Sequence, residues 1–152
     1  MSYLHMKTQL LCLRVWPILL ALYGCMEGPR PLAIVDDVGF TEERVYEVID
    51  AFEAVTGQKL ELDFWTIRLV HETSIECGDI TAIGCTSWNN YSVTIANLPE
   101  YSHLLLAHEF CHVYLNGDHD HKRLDYFDRT NPNSVVSRVE AMLADPAAAP
   151  QR

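Results

Sequence analysis

Three residues within one short segment, His108, Glu109 and His112, have the types and spacing that metal-dependent hydrolysis requires. On an α-helix, residues four apart lie one turn, about 6 Å, from each other and on nearly the same face. Two imidazoles placed in this way can bind one zinc ion, whose nitrogen ligands lie at about 2.0–2.1 Å. Glu109 follows the first histidine directly, so its carboxylate points partly away from the ion and can accept a proton from water. The segment therefore predicts a zinc site with a general base beside it.

A helix over residues 97–116 is predicted to position these side chains. Asn97 is a suitable N-cap, and Glu100 follows it by three residues, as in a capping box. The Asn-Gly pair at 116–117 predicts the end of the helix. The apolar residues that would bury one side of this helix are Leu104, Leu105, Ala107, Cys111 and Leu115.

Further helices and short strands are predicted on both sides of this segment. Thr41 can cap a helix that ends in a left-handed turn at Gly57. A strand is predicted over Leu60–Val70, followed by a loop over Cys77–Gly84. The remaining predicted elements are a hairpin of Ile83–Ser87 with Tyr91–Ala96, and a helix that follows Asn131 and runs through Met142. This order of elements predicts an α+β fold.

The segment His108–His112 resembles the His-Glu-x-x-His sequence of the zincin metallopeptidases. By motif the resemblance covers residues 97 to about 126, and by the order of elements it extends more loosely from Thr41 onward. It implies that His108 and His112 bind zinc, one ion per chain, and that Glu109 is the catalytic base. The implied fold is minimal and zincin-like: a small twisted, mostly antiparallel sheet packed against helices, one of which carries the motif.

The third metal ligand is the point at which the chain departs from the metzincin branch of that family. Metzincins have Gly three residues after the second His and a ligand three residues further on, positions that are Leu115 and Asp118 here. The glycine instead lies at Gly117, which moves the ligand toward Asp120 and its neighbouring histidines. Because zinc prefers imidazole to a lone carboxylate, we predict His121 as the ligand. The alternatives that stay open are Asp118, His119 and a distant acid such as Asp125 or Glu140.

The function that this resemblance implies is that of a zinc-dependent metallopeptidase, which hydrolyses a peptide or protein substrate through a zinc-activated water. The alternative is a non-catalytic zinc-binding lipoprotein or scaffold. Glu109 argues against the alternative, because a purely structural site needs no general base. Structural zinc usually has four protein ligands, however, and the additional acids and histidine at 118–120 keep that alternative open. Hydrolysis of a non-peptide amide would use the same residues.

Residues 1–24 are predicted to be a secretory signal peptide. Lys7 and Arg14 precede an apolar run over 15–23, which is too short to span a bilayer and is followed by a small residue. The stretch Leu22–Cys25 also resembles a bacterial lipobox, in which the cysteine carries the lipid. We therefore predict lipidation at Cys25 and anchoring to the outer face of a membrane in the bacterial cell envelope, with simple secretion as the alternative.

The rest of the chain is predicted to contain a tether, one domain and a tail. Residues 25–40 are predicted to be a tether, 41–144 the zincin-like domain, and 145–152 a flexible tail. In an oxidising compartment, Cys77 and Cys85 are predicted to form a disulfide, and zinc binding by this pair is the rival interpretation. Cys111 is predicted to be a small buried thiol.

The charge balance excludes one class of partner. The chain has 11 basic and 21 acidic side chains, which gives a formal net charge of −10. Such a surface repels phosphate backbones, so no nucleic-acid partner is expected.

Overall fold

Six short strands and four helices make up the part of the chain that the structure describes. This structure is a computed structural model, and it describes residues 32–36, 39–117 and 120–145. The predicted signal peptide, Cys25 and most of the predicted tail lie outside these ranges. The elements are β1 (Ala33–Asp36), α1 (Glu42–Thr56), β2 (Thr66–Leu69), β3 (Ile75–Cys77), β4 (Ile80–Ala82), β5 (Gly84–Ser87), β6 (Ser92–Ile95), α2 (Ser102–Tyr114), α3 (Leu124–Phe127) and α4 (Val135–Ala144). The predicted α+β class is confirmed.

The main sheet has four strands in the order β1-β2-β6-β5. Strand β2 pairs in parallel with both β1 and β6, and only β5 and β6 are antiparallel. The prediction of a mostly antiparallel sheet is therefore wrong. The sequence did not predict β1, because this strand lies within the segment predicted to be a tether. Once β1 joins the sheet, α1 becomes the crossover that a parallel β1–β2 pair requires.

Two segments between the helices also differ from the predictions. The predicted strand over Leu60–Val70 is extended only in β2, because the chain turns at Phe64, whose φ is 72°. The predicted loop over Cys77–Gly84 contains most of a small antiparallel hairpin formed by β3 and β4. The hairpin of β5 and β6 is confirmed, with Ser87 opposite Ser92.

The boundaries of α1 agree with the sequence signals. Thr41 Oγ1 accepts a hydrogen bond from Arg44 N at 3.3 Å, and Gly57 ends the helix with φ 72°. Helix α2 begins later than predicted, since Tyr101 occupies its N-cap position without a side-chain hydrogen bond. Asn97 is not the cap. Its N–H donates to the carbonyl of Glu72 at 2.7 Å and so connects this turn to the chain that follows β2.

The core lies where α1, α2 and α4 pack together and where α2 packs against β5 and β6. Phe52 of α1 and Phe110 of α2 are fully buried and meet edge to face, with ring centroids 6.0 Å apart. Each such side chain contributes about 1.5–3 kcal/mol when it is removed from water. The core side chains on the sheet are Ile67, Leu69, Val93 and Ile95. Within the described ranges, no helix has the length and apolar character needed to cross a membrane.

A disulfide joins the two cysteines that were predicted to pair. Cys77, at the end of β3, is bonded to Cys85 in β5, with their Cα atoms 5.6 Å apart. Cys111 is a buried free thiol, as predicted, and its Sγ donates to the carbonyl of Ala107 at 3.4 Å. The disulfide therefore fastens the β3–β4 hairpin to the outermost strand of the main sheet.

Removing this disulfide should destabilise the domain. The cysteines are 8 residues apart in sequence, and closing so short a loop in the unfolded chain corresponds to about 2.5 kcal/mol. We expect the free energy of unfolding, measured with urea, to be lower by this amount in Cys77→Ala/Cys85→Ala. The wild type should show the same decrease after its disulfide is reduced. A reduced wild type that unfolds like the oxidised protein would contradict this expectation.

Candidate metal centre

Helix α2 carries the first three residues of the site. His112 and Glu109 are buried, with 7% and 5% of their surface exposed, whereas His108 is half-buried. The rings of His108 and His112 lie one helical turn apart, with centroids separated by 5.1 Å. The two imidazoles are therefore neighbours on one face of the helix, as the four-residue spacing predicted.

A sharp turn after α2 reverses the chain toward this face. Asn116 and Gly117 both adopt left-handed conformations, with φ of 52° and 90°. Gly117 N–H donates to the carbonyl of His112 at 3.1 Å, and Asn116 N–H donates to that of Val113 at 3.3 Å. This pair of bonds is the Schellman motif, so the predicted end of the helix is confirmed. The returning chain brings His121, itself at φ 50°, to the other two histidines.

His108, His112 and His121 form a group in which one ring nitrogen of each residue lies within 4.8 Å of the others. The Nε2 atoms of His108 and His121 are 3.0 Å apart. Two nitrogens bound to one tetrahedral zinc ion are separated by about 3.3 Å, given bonds of about 2.0–2.1 Å. Small ring movements would therefore convert this arrangement into a coordination shell. The three histidines could hold a metal ion.

The other candidates for the third ligand separate into two groups. Asp118 and His119 lie outside the described residues. Asp125 is exposed and pairs with Arg123, whose Nε and guanidinium NH2 donate to it at 3.0 and 2.8 Å. Glu140 lies 3.7 Å from the guanidinium of Arg129. The described ligand group contains neither acid, and His121 is the candidate found beside the helix.

Phe127, which sequence reasoning did not identify, packs against all three imidazoles. Its ring centroid lies 5.0 Å from that of His108, 4.8 Å from that of His112 and 4.7 Å from that of His121. The ring is buried and has no polar atom, so it limits the orientations of the imidazoles without competing for a ligand. No periodic signal could reveal it, because α3 is a single turn of four residues.

The electrostatic environment of His108 favours the form that binds metals. Burial, together with smaller contributions from the neighbouring His112 and His121, lowers the pKa of His108 to about 4. The imidazole is therefore neutral at pH 7. A neutral ring has a free nitrogen lone pair, which a metal ion requires.

Glu109 lies on a different side of α2 and contacts strand β5. Thr86 Oγ1 donates a hydrogen bond to Glu109 Oε2 at 2.7 Å. The other carboxylate oxygen lies against Gly84, where a Cβ would overlap Oε1 and lie 3.0 Å from Cδ. Burial raises the pKa of Glu109 to about 7, although the bond from Thr86 acts in the opposite direction. Neither Thr86 nor Gly84 was identified from sequence, since nothing in the pattern places β5 against this helix.

Comparison with protein-family models, with curated proteins and with solved structures gives no match. The function of the site is therefore inferred from the residues of this chain.

Replacing the histidines should remove metal binding. We expect one zinc ion per chain in the wild type, and a loss of affinity of at least about 100-fold in His112→Ala and His121→Ala, because two ligands hold the ion poorly. Competition with a chromophoric chelator measures this. His71→Ala is the matched control, since His71 is exposed and outside the group.

The two variants test different statements. Stoichiometric zinc in His112→Ala would exclude the helix as the metal site. Unchanged affinity in His121→Ala alone would remove His121 and direct attention to residues 118–119.

Proposed function

We propose that this chain is a zinc-dependent metallopeptidase that hydrolyses peptide bonds. The observation that carries the proposal is the combination of three converging histidines with one buried carboxylate on the same helix. Histidines alone would support metal binding. The carboxylate adds a group able to move a proton, which hydrolysis of an amide requires.

The donor set favours zinc in a catalytic role. Zinc accepts imidazole nitrogens, and catalytic zinc sites have three protein ligands with a fourth position open to water or substrate. The described group offers three imidazoles, which matches this number. When bound, zinc lowers the pKa of water and polarises a carbonyl group.

Glu109 is the residue that we assign as general base. Its pKa, raised to about 7 by burial, suits a group that must both accept and release a proton near neutral pH. Thr86 occupies Oε2, so the proton would be carried on Oε1, the oxygen beside Gly84. Glu109 would take the proton from the attacking water and transfer it to the leaving amine. The missing Cβ at Gly84 leaves room for the carboxylate in this position.

The compartment that we propose is outside the cytoplasm. The disulfide between Cys77 and Cys85 supports export, because such bonds persist in oxidising environments. Attachment to the bacterial envelope through Cys25 is part of the same proposal and rests on the sequence of residues 1–25.

Glu109→Gln separates an enzyme from a metal-binding module. Glutamine has nearly the same size but cannot accept the proton, so turnover of a broad peptide library should fall by about 10²–10⁴-fold. Zinc content and thermal stability should be retained. Glu100→Gln, an exposed change next to the same helix, is the matched control.

Two outcomes would contradict the proposal in different ways. A wild type that binds zinc but cleaves no peptide would support a non-catalytic zinc-binding protein instead. A Glu109→Gln variant that cleaves as fast as wild type would retain the peptidase and exclude Glu109 as its base.

Thr86 is expected to act by orienting Glu109. Thr86→Val removes the donated hydrogen bond, whose loss corresponds to about 1.4 kcal/mol, so kcat should fall about 10-fold while KM and zinc content stay unchanged. Thr86→Ser retains the hydroxyl and should recover most of the rate. If valine and serine behave alike, the hydroxyl has no such role.

A further inference from the structure

A second concave site lies away from the three histidines. Its volume is about 690 Å³, and it is bounded by residues 58–65, by the turn between β5 and β6, and by the end of α2. None of the three histidines of the metal group lines it. Much of its lining is aromatic, and the rings come from Phe64, Trp65, Trp88, Tyr91 and Tyr114.

Two of these aromatic residues have an unfavourable backbone conformation. Phe64 has φ 72° and Tyr91 has φ 49°, in the left-handed region that residues with a Cβ rarely adopt. Their side chains are 51% and 49% exposed, so core packing does not explain why bulky rings occupy these positions. Outliers of this kind concentrate at functional sites, where the surrounding structure maintains them.

Trp88 belongs to the same lining and packs against Trp65. Trp88 Nε1 is buried and has no hydrogen-bond partner among the described residues. The Trp88 ring is held edge to face against Trp65, with centroids 5.0 Å apart and planes at 86°. The two indole rings therefore form part of the aromatic wall of the cavity.

The charges around the cavity favour a cation. Glu61 and Asp63 are exposed in its lining, together with a single basic residue, Lys59. The whole chain carries an excess of acidic side chains, 21 against 11. Aromatic faces also attract ammonium and guanidinium groups. A cationic side chain would therefore gain from both the carboxylates and the rings.

We propose that this cavity binds a lysine- or arginine-containing segment of another polypeptide. The basic side chain meets Glu61, Asp63 and the exposed rings. An oligosaccharide could stack on the rings but would gain nothing from the negative charge. The proposal is independent of the metal site and holds whether or not the chain is a peptidase.

Direct binding to the full chain tests this proposal. The probe is an acetylated, amidated decapeptide of alternating arginine and glycine, titrated with a metal chelator present so that cleavage cannot interfere. Tryptophan fluorescence and calorimetry should show saturable binding. The same peptide with citrulline in place of arginine keeps the shape, lacks the charge and should bind at least about tenfold more weakly.

Matched variants distinguish the cavity from general electrostatic attraction. Glu61→Gln/Asp63→Asn should weaken binding of the arginine peptide at least about tenfold. Glu76→Gln/Asp79→Asn makes the same change in net charge at exposed residues outside the cavity and should leave the affinity nearly unchanged.

Phe64→Asn distinguishes a role of Phe64 in peptide binding from a role in packing. Asparagine tolerates the left-handed region, so the midpoint of thermal unfolding should be maintained or raised while peptide affinity falls. A lower midpoint with unchanged affinity would assign Phe64 to packing and contradict the proposal.

Three further results would overturn the proposal. These are equal binding of the citrulline peptide, equal effects of the two acidic double variants, and binding of chitohexaose in place of the peptide.

Discussion

The burial of one carboxylate on α2 constrains much of the structure around it. Glu109 has 5% of its surface exposed, on a helix whose neighbouring residues Phe110 and Cys111 are in the core. A buried acid must be either neutralised or hydrogen-bonded, and here burial raises its pKa while Thr86 satisfies one oxygen. Gly84, on the same strand, supplies the space. Strand β5 must therefore keep its position against α2. The Cys77–Cys85 disulfide connects that strand to the neighbouring hairpin.

The histidine group depends on a second constraint, the direction of the chain after α2. The hydrogen bonds of the Schellman turn end the helix within one turn of His112, so the chain can return quickly enough to bring His121 alongside. Phe127 packs on all three rings. Two of the three histidines that could hold a metal ion thus come from a helix, and one comes from an irregular segment that Phe127 contacts.

Local sequence signals predicted the parts of this architecture that local interactions determine. Thr41 and Gly57 delimit α1 through their own hydrogen bond and φ angle, and the four-residue spacing placed His108 and His112 side by side. The wrong predictions concern features that depend on contacts between segments distant in sequence. Ala33–Asp36 becomes a strand only because β2 is available to pair with it. Asn97 is not the cap because the helix begins only at Ser102, and Asn97 N–H bonds to Glu72 in the turn before it. Thr86 and Phe127 were missed for the same reason, since each acts across a tertiary contact.

The positions at which this chain departs from favourable local chemistry fall into two places. One is α2 with the segment that follows it, which contain the buried Glu109 and the left-handed His121. The other contains the left-handed Phe64 and Tyr91 and the Trp88 N–H, which has no partner among the described residues. A chain that only had to fold would gain stability by replacing each of them with a residue that suits its position. Helix α2 contributes to both places, His112 to the first and Tyr114 to the second. Their grouping around one helix is the observation that both proposals share, metal-dependent hydrolysis at the first place and binding of a basic segment at the second.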